Sequence, residues 1–510
     1  MRRLMKTSEL RRLNIIEALI EKDDWENIAT IAKQLHSSER TIREDILFLK
    51  NTFNEFTIET NHNGVRILLN KNFGLKSVYR QILKESIPFK LMELIFFDET
   101  MSVDDLAEKL FVSASSTYRT IQQINKILST DYHANIETNP CQVVGNEHFI
   151  RNFYSAYFKE TYSIVEWPFK GTDEEAINQA FISLFQILPE KLDVNIDYAY
   201  FESIKIVIAV NRIRYQHGHL IDMVYLDSPW VSQITHALNS RDLSSFSALK
   251  NVKAVPVTPE SLIQLYTPYL NFERTWTMEK LNELRKEDIK LNTAVTFLEE
   301  NFIKLADSLN ITVNADYFSL AMIGTSSIED NDPNNLFILF DRNRIFLNEF
   351  KKKFPYVYRS TRSIVKKFRS LMGLNQAEDK INHLTYTILT YWENLITQLN
   401  EVYYSVKITI ISDGHTSHAQ MLAEFISSQV KISPKFNIYK EFIITTEILN
   451  KLDTDIIITN FTLPEGINKE VIMIEHFPTA QNMQQIEDSI RTIIDERISA
   501  QNDQADFPIN

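Results

Sequence analysis

Cysteine, glycine and proline are scarce in this sequence, and their scarcity excludes several architectures. The 510 residues contain one cysteine, nine glycines and fourteen prolines. A single cysteine excludes a disulfide within the chain and any zinc site built from several cysteines. Without Gly/Ser-rich or Pro-rich tracts there are no obvious linkers, so domain boundaries must be read from changes in periodicity. We expect a mainly helical chain.

Long apolar runs are also missing. The most apolar stretches, such as Ile204–Val210, are far shorter than the roughly 20 residues that a membrane span needs. No apolar segment follows the basic residues of the N-terminus, so nothing there resembles a secretory signal. We therefore expect a cytoplasmic protein that makes no membrane contact.

Positive charge is in short supply overall, but not at the N-terminus. The net charge is −13, which is unusual for a protein that only coats nucleic acid, because lysine and arginine bind phosphates. Carboxylates dominate Asp488–Asp506, whereas the first twelve residues carry Arg2, Arg3, Lys6, Arg11 and Arg12 against Glu9. This asymmetry predicts a basic end that meets DNA and an acidic body that meets other partners. The length predicts three to five domains of roughly 100–150 residues.

A first helix-turn-helix is predicted near the N-terminus. Two short helical patterns lead to a break at His36-Ser37, where Ser37 or Ser38 can cap a third helix, Glu39 to about Lys50. The third helix has the pattern of a recognition helix, which places its first turns in the major groove. Two β-like runs, Phe56–Thr60 and Val65–Leu69, follow around an Asn-Gly turn and predict a wing. The alternative is an ordinary three-helix bundle, which could show the same apolar spacing.

The pattern repeats over Phe89–Gly145. Ser102 and Asp105 resemble a capping box, and the longer third helix is predicted to bury Tyr118, Ile121, Ile124 and Leu128. A second wing is predicted around Asn139-Pro140, with Cys141 as a packing residue. Side chains able to contact phosphates and base edges are predicted at these positions: Ser38, Arg40, Thr41, Arg43, Glu44, His62 and Arg66 in the first module, and Ser115, Ser116, Arg119, Thr120 and Gln123 in the second.

The tandem arrangement resembles the Mga/AtxA-like virulence regulators of Gram-positive bacteria. The resemblance rests on ERTIREDI in the first module, and on SVDDLAEKLFVSASSTYRTIQQIN followed by VVGNE in the second. The implied domains are winged helix-turn-helix domains at 1–72 and 73–165, helical regulation domains at 166–277 and 278–402, an enzyme IIB-like α/β domain at 403–500 and a tail at 501–510.

The central region reads as successive helices from about Glu174 to Asn400 and predicts two helical bundles. The resemblance implies that these are phosphotransferase-system regulation domains, whose histidines accept phosphate. His217 and His219 close a helix in the first bundle, where Arg212 and Arg214 could stabilise a phosphoryl group. His383 is the corresponding candidate in the second bundle. The alternative is that each histidine is a packing or surface residue, or one that interacts with the helix dipole.

Beyond about Ser405 the sequence predicts strands alternating with helices, and hence a small domain with a mainly parallel sheet. The loop Ser412–Ser417 after the first strand resembles the phosphate loop of enzyme IIB subunits, but it contains no cysteine. A binding or dimerisation role is therefore expected instead of phosphotransfer. His415 is a remote alternative as phosphate acceptor.

Together these features predict a multi-domain, mainly helical, non-enzymatic regulator of transcription. The expected partners are double-stranded DNA, a second copy of the chain and a phosphodonor such as HPr or an enzyme IIB, with no metal or cofactor. An activator of virulence or carbohydrate-linked genes is the favoured interpretation. Two alternatives are an RNA-binding antiterminator with regulation domains and a component of the phosphotransferase system itself.

Overall fold

The protein divides into two compact units. Unit 1 takes its residues from 1–276 and 326–342, and unit 2 takes its residues from 277–325 and 343–510. The finer domain boundaries stay predictions. The computed structural model describes residues 2–22, 24–187, 198–221, 258–266, 278–316, 337–430 and 434–503.

The first module of unit 1 is a winged helix-turn-helix. Asn27 and Ser38 cap its second and third helices, because each side-chain oxygen accepts a backbone N–H of the first turn. Gly64 opens the second strand at a φ of 128°, and a Cβ there would lie 2.2 Å from the Glu26 carbonyl oxygen, so glycine is required. A 3₁₀ turn at Arg2–Leu4 precedes α1 (Thr7–Lys22), α2 (Ile28–Gln34), α3 (Glu39–Thr52), β1 (Phe56–Asn61) and β2 (Gly64–Leu69).

The second module repeats the first with an offset of 75 residues. Ser102 stands 75 positions after Asn27, and Ser113 stands 75 positions after Ser38; both serines cap the corresponding helices. The Ser102 capping box expected from the sequence is present. The elements are α4 (Leu75–Glu85), which joins the modules, then α5 (Ile87–Phe97), α6 (Val103–Lys109), α7 (Ala114–Asp131), β3 (Ala134–Thr138) and β4 (Cys141–Gly145).

Both wings are antiparallel hairpins that pair with the segment before the second helix of their module. In the first wing, the Val65 N–H donates to the Glu26 carbonyl at 2.9 Å. In the second, the Cys141 N–H donates to the Met101 carbonyl at 2.8 Å, and position 101 again follows position 26 by 75. Cys141 is buried, as expected for a packing residue, and burial raises the pKa of its thiol.

One correction concerns the buried stripe of α7. Tyr118 was expected to be buried, but half of its surface is exposed, and Thr117 is buried instead. The Thr117 hydroxyl donates to the Ser113 carbonyl at 3.3 Å, so its polar group is satisfied inside the module. The other three expected residues of the stripe, Ile121, Ile124 and Leu128, are buried.

The remainder of unit 1 is helical. A buried carboxylate, Glu160, holds the segment from Phe337 to Asp341 against α8, accepting the N–H groups of Ile338, Leu339 and Phe340 at 2.5, 2.9 and 3.0 Å. The helices described here are α8 (Glu147–Thr161), α9 (Glu174–Ile187), α10 (Tyr198–Gln216) and α11 (Pro259–Tyr266).

Unit 2 begins with a helical bundle. Two long amphipathic helices, α13 and α15, pack against each other, and Phe302 meets Trp392 edge-on at 5.9 Å between ring centroids. The described helices are α12 (Met278–Glu287), α13 (Ile289–Leu309), α14 (Arg342–Lys353), which starts at the last residue of unit 1, α15 (Pro355–Leu371), α16 (Glu378–Tyr391) and α17 (Leu395–Tyr403).

The C-terminal part of unit 2 is an α/β domain whose four strands are all parallel, in the order β6-β5-β7-β8. Three of the strands were expected from the sequence, whereas the short edge strand β6 was not. The elements are β5 (Lys407–Ile411), α18 (Thr416–Gln429), β6 (Lys435–Ile438), α19 (Thr446–Lys451), β7 (Ile456–Thr459), β8 (Glu470–Met473) and α20 (Ala480–Asp503).

The predicted fold class is confirmed: the chain is multi-domain and mainly helical, with tandem N-terminal winged modules and a C-terminal parallel sheet. Within the ranges that the structure describes, no helix combines the length and the apolar character required to cross a membrane.

Candidate nucleic-acid interface

The outer face of α3 carries the predicted contacts of the first module. The Arg40 side chain is 88% exposed and pairs with Glu44 at 3.0 Å, while Arg43 is 62% exposed and lies 3.4 Å from Glu39. Such exposed pairs, four residues apart, contribute only about 0.3–0.5 kcal/mol, so either arginine can exchange its glutamate for a phosphate at little cost. Arg40, Arg43 and Glu44 therefore occupy the accessible face where they were predicted.

Two predicted residues at the start of α3 have structural partners. The Ser38 oxygen accepts the Thr41 N–H at 3.1 Å, and the two hydroxyls lie 2.8 Å apart. Both serve the helix cap, which fixes the direction in which α3 leaves the turn. A phosphate contact from Ser38 would have to share its hydroxyl with this cap.

The basic N-terminal residues are largely engaged within the module. Arg11 and Arg12 both donate to the buried carboxylate of Asp45, at 2.5 and 2.8 Å. Arg2 pairs with Glu17 at 2.5 Å. These three arginines hold α1 against its neighbours, and the expectation that the basic N-terminus meets DNA stays a prediction.

The first wing presents His62 at its exposed tip. Arg66, the other predicted wing contact, is held in place by the wing itself. Its guanidinium pairs with Glu59 across the hairpin at 2.7 Å and lies over the Trp25 ring, 4.7 Å from the centroid. Arg66 thus has a fixed position from which to approach a phosphate, with a neighbouring carboxylate that offsets part of its charge.

The second recognition helix, α7, presents its predicted polar residues on one side. Ser115, Arg119 and Gln123 are exposed, and Ser116 and Thr120 are half-buried at the border of that face. The Arg119 Nε donates to the Ser115 carbonyl at 3.3 Å, and the Thr120 hydroxyl donates to the Ser116 carbonyl at 3.0 Å. Unlike α3, this helix places no carboxylate beside its arginine.

Residues that the sequence reasoning missed complete this face. Tyr118, Gln122 and Lys126 are exposed on α7 in the same stripe as Ser115 and Arg119. The offset of 75 residues could have found one of them, because it places Tyr118 where the first module has Arg43.

Each recognition helix is also fastened to its wing. Lys50 donates to the Thr60 hydroxyl at 3.1 Å, and the Asn125 amide exchanges hydrogen bonds with the Ile136 backbone at 2.6 and 2.9 Å. Lys50 and Asn125 are again 75 positions apart. Helix and wing therefore meet a ligand as one surface in each module.

The two histidines proposed for phosphorylation in the first bundle share one carboxylate. His219 Nε2 lies 2.7 Å from Glu99 Oε2, and His217 Nδ1 lies 3.7 Å from the same oxygen. Burial lowers the pKa of His217 below its ordinary value. Glu99 belongs to the loop between α5 and α6 of the second module, so the end of α10 meets that winged module here.

The arginines expected to stabilise a phosphoryl group have other roles, and that expectation is wrong. Arg214 is fully buried and donates to Glu99 at 2.6 Å, to Glu147 at 2.7 Å and to the Val143 carbonyl of β4 at 2.9 Å. Arg212 is also buried, and its guanidinium donates a hydrogen bond to the Thr172 hydroxyl. Burial lowers the pKa of Arg212 to about 10. Arg214 connects α10 to the second wing.

The third candidate histidine, His383, is half-buried on α16 with its Nδ1 3.1 Å from the Asn343 amide. In the α/β domain, the Ser412 hydroxyl lies 2.7 Å from His418 Nδ1 and accepts the Gly414 N–H at 2.9 Å. His418 Nε2 donates to the His476 carbonyl, and the two rings stack at 4.1 Å. Ser412 of the loop is therefore held by His418, which in turn contacts His476.

Comparison with known proteins connects these features to one group. The family model described as the Mga helix-turn-helix domain matches residues 71–158, and the helix-turn-helix model of the M protein trans-acting positive regulator (MGA) matches residues 7–63. A Streptococcus pneumoniae protein described as a trans-acting regulator is 24% identical over 476 residues, which are 92% of this chain and 95% of that protein.

Two Bacillus anthracis proteins are similar over shorter stretches. The capsule synthesis positive regulator AcpA is 27% identical over 186 residues, 36% of this chain and 38% of its own. The capsule synthesis positive regulator AcpB is 25% identical over 219 residues, 42% of this chain and 44% of its own. The first matched segment covers α1 to β1 of the first winged module, and the second covers α4 to β4 and most of α8.

Proposed function

Because this chain belongs to the Mga/AtxA-like family of DNA-binding transcription regulators, we propose that α3 and α7 enter the major groove of its target duplex. The observation that carries the proposal is the repeated geometry. Two serine-capped recognition helices, 75 residues apart, each expose arginine on the face opposite the module core. Helix-turn-helix proteins read base edges with the first turns of such a helix.

The same proposal includes activation, self-association and the absence of catalysis. The relatives are named positive or trans-acting regulators, which favours an activator of virulence-linked genes. A homodimer would present four recognition helices and would match a two-fold arrangement of half-sites. The chain acts by binding and has no enzymatic activity in this scheme.

Regulation is proposed to operate through His217, His219 and His383, with a phosphodonor such as HPr or an enzyme IIB. The position of the first two histidines supports this, because a phosphoryl group there would add negative charge beside Glu99. That repulsion would act on the loop that begins the second helix-turn-helix, and on the shared network of Arg214. Charge at His383 would act within unit 2.

The two alternatives each lack a required feature. An RNA-binding antiterminator would bind through a small β-rich module, whereas the first two described modules are winged helix-turn-helices. A phosphotransferase component needs a nucleophile in its phosphate loop, and Ser412–Ser417 contains no cysteine. A duplex-binding regulator fits the described features without such a gap.

The central test is salt-dependent binding to duplex DNA by the full chain. Replacing Arg40 and Arg43 together by alanine removes two candidate phosphate contacts, so affinity should fall by about 10-fold or more, and the slope of log affinity against log salt should decrease by about 2. Mobility-shift titrations at several salt concentrations measure both quantities.

A matched control comes from the bundle of unit 2. Lys352 pairs with Glu349 at 2.7 Å in an exposed helical pair of the same kind, so Lys352→Ala should leave the affinity unchanged. RNA hairpins should bind no more tightly than unrelated polyanions. If the intact protein prefers a hairpin, or binds no duplex at all, the proposed function is wrong.

The regulatory part is tested separately with aspartate at each proposed histidine. We expect His217→Asp, His219→Asp or His383→Asp to alter the oligomeric state or the output of a reporter promoter, since each adds a negative charge to a helical interface. Sedimentation and reporter assays measure these effects. Unchanged behaviour of all three variants would remove histidine phosphorylation from the proposal and leave DNA binding intact.

A further inference from the structure

The two recognition helices differ in how their exposed faces are composed. On α3, each of the two arginines has a glutamate partner on the same helix, and Leu47, one turn beyond Arg43, is exposed. On α7, the equivalent face carries Tyr118, Gln122 and Lys126 beside Arg119. Helix α7 has no carboxylate before Asp131. The carboxylates at positions 104, 105 and 108 belong to the neighbouring helix α6. The face of α7 is therefore positive and rich in neutral hydrogen-bonding groups.

The exposure of Tyr118 calls for an explanation. A phenol ring that is 49% exposed on a helix face is apolar surface in water, and its position equals that of Arg43 in the first module. The fold does not need it there, since Thr117 and Ile121 fill the core side of the same turn. A ring so placed can contact a thymine methyl group, and its hydroxyl can bond a base acceptor or a phosphate.

Gln122 lies one turn beyond Tyr118, on the same stripe. Glutamine amides pair with adenine through one donor and one acceptor, which a charged side chain cannot do. Arg119, between them in sequence, donates its Nε–H to the Ser115 carbonyl of its own helix. These three side chains carry groups suited to base edges, whereas the arginines of α3 are suited to phosphates.

We propose that Tyr118 and Gln122, supported by Arg119, determine the sequence preference of this protein, and that α3 supplies affinity that is less dependent on sequence. The inference rests on the proposed duplex-binding function. It assigns base readout in the major groove to α7, at pairs rich in adenine and thymine. Tyr118 contributes ring contacts and a hydroxyl, and Gln122 contributes the paired donor and acceptor.

The experiment starts by selecting the preferred duplex of the full chain from a randomised library. Affinity for that duplex and for a scrambled duplex is then measured for wild type, Tyr118→Ala, Tyr118→Phe and Gln122→Ala. We expect the alanine variants to lose about 10-fold in the ratio of the two affinities, with scrambled-duplex affinity nearly unchanged. Tyr118→Phe should retain part of the preference if the ring makes the contact.

Two controls fix the interpretation. Tyr198→Ala removes an exposed tyrosine from α10, outside the modules, and should change neither affinity. Replacing Arg40 and Arg43 together by alanine should weaken binding to both duplexes by a similar factor. Because Tyr118 and Gln122 are exposed, their variants should keep the melting temperature of wild type. Thermal unfolding followed by circular dichroism checks this.

The outcomes separate this inference from the proposed function. If wild type binds duplex DNA and both Tyr118→Ala and Gln122→Ala keep its sequence preference, the inference alone is overturned. The same holds if the intact protein binds duplexes without any sequence preference. Absence of any duplex binding overturns both. A preference that disappears only in the α3 variant would assign base readout to the first module instead.

Discussion

At the scale of single residues, the buried carboxylate of Glu160 is stabilised by backbone hydrogen bonds from a distant segment of unit 1. Its two oxygens accept three consecutive backbone N–H groups, from Ile338, Leu339 and Phe340. Burial raises the pKa of Glu160, and those hydrogen bonds act in the opposite direction. One side chain thereby satisfies a segment that lies far away in sequence, and no neutral residue offers the same number of acceptors.

Glu160→Gln should therefore loosen this segment. The amide group of glutamine turns a donor toward backbone N–H donors, so at least one of them loses its partner at a cost of about 1–3 kcal/mol. Urea unfolding and hydrogen exchange of the amides at Ile338 to Phe340 measure the effect. Glu166→Gln is the control: Glu166 also accepts a backbone N–H, from Ser163 at 2.8 Å, but on the surface, and it should cost little.

The direction in which the pKa of Glu160 is shifted determines how the unfolding free energy depends on pH. With a raised pKa, folded Glu160 holds a proton over a range in which the unfolded chain, at about 4.5, has released it. Its contribution to the unfolding free energy therefore falls as the pH rises from about 4.5 through the raised pKa. Glu160→Gln should flatten that part of the stability profile, and an unaltered profile would show that the group does not titrate there.

At the scale of elements, the sequence predicted what is decided locally. The caps at Ser38 and Ser102 and the Asn-Gly wing depend on neighbours a few residues away, and all are present. The short edge strand Lys435–Ile438 was missed because its burial is partial and its pattern mixes polar and apolar residues.

The misses within the candidate site have a common cause. Periodicity on α7 allowed either Thr117 or Tyr118 inside, and the choice was settled by the hydrogen bond of the threonine hydroxyl to Ser113. Arg214 was taken as a phosphoryl partner because its true partners, Glu99 and Glu147, lie 115 and 67 residues away. Tertiary ion pairs of this kind leave no spacing in the sequence to be recognised.

At the scale of the whole molecule, the end of α10 is where a helical bundle meets a DNA-binding module. Arg214 joins three parts of unit 1: the Glu99 loop, helix α8 through Glu147, and strand β4 through Val143. Arg151 adds a bond to the His219 carbonyl at 2.9 Å. A change of charge at His219 therefore acts first on Glu99, and through Arg214 on the second wing.

A double substitution tests that route. In His219→Asp, a carboxylate replaces the imidazole that lies 2.7 Å from Glu99, and the repulsion should weaken duplex binding by about 5-fold or more. Glu99→Gln removes the opposing charge while keeping an acceptor for Arg214, so the double variant should bind like Glu99→Gln alone. Mobility shifts on the four proteins give the coupling, and His383→Asp, whose partner is Asn343, is a control that Glu99→Gln should not rescue. Additive effects of the two substitutions would mean that charge at His219 reaches the recognition helix by a path that bypasses Glu99.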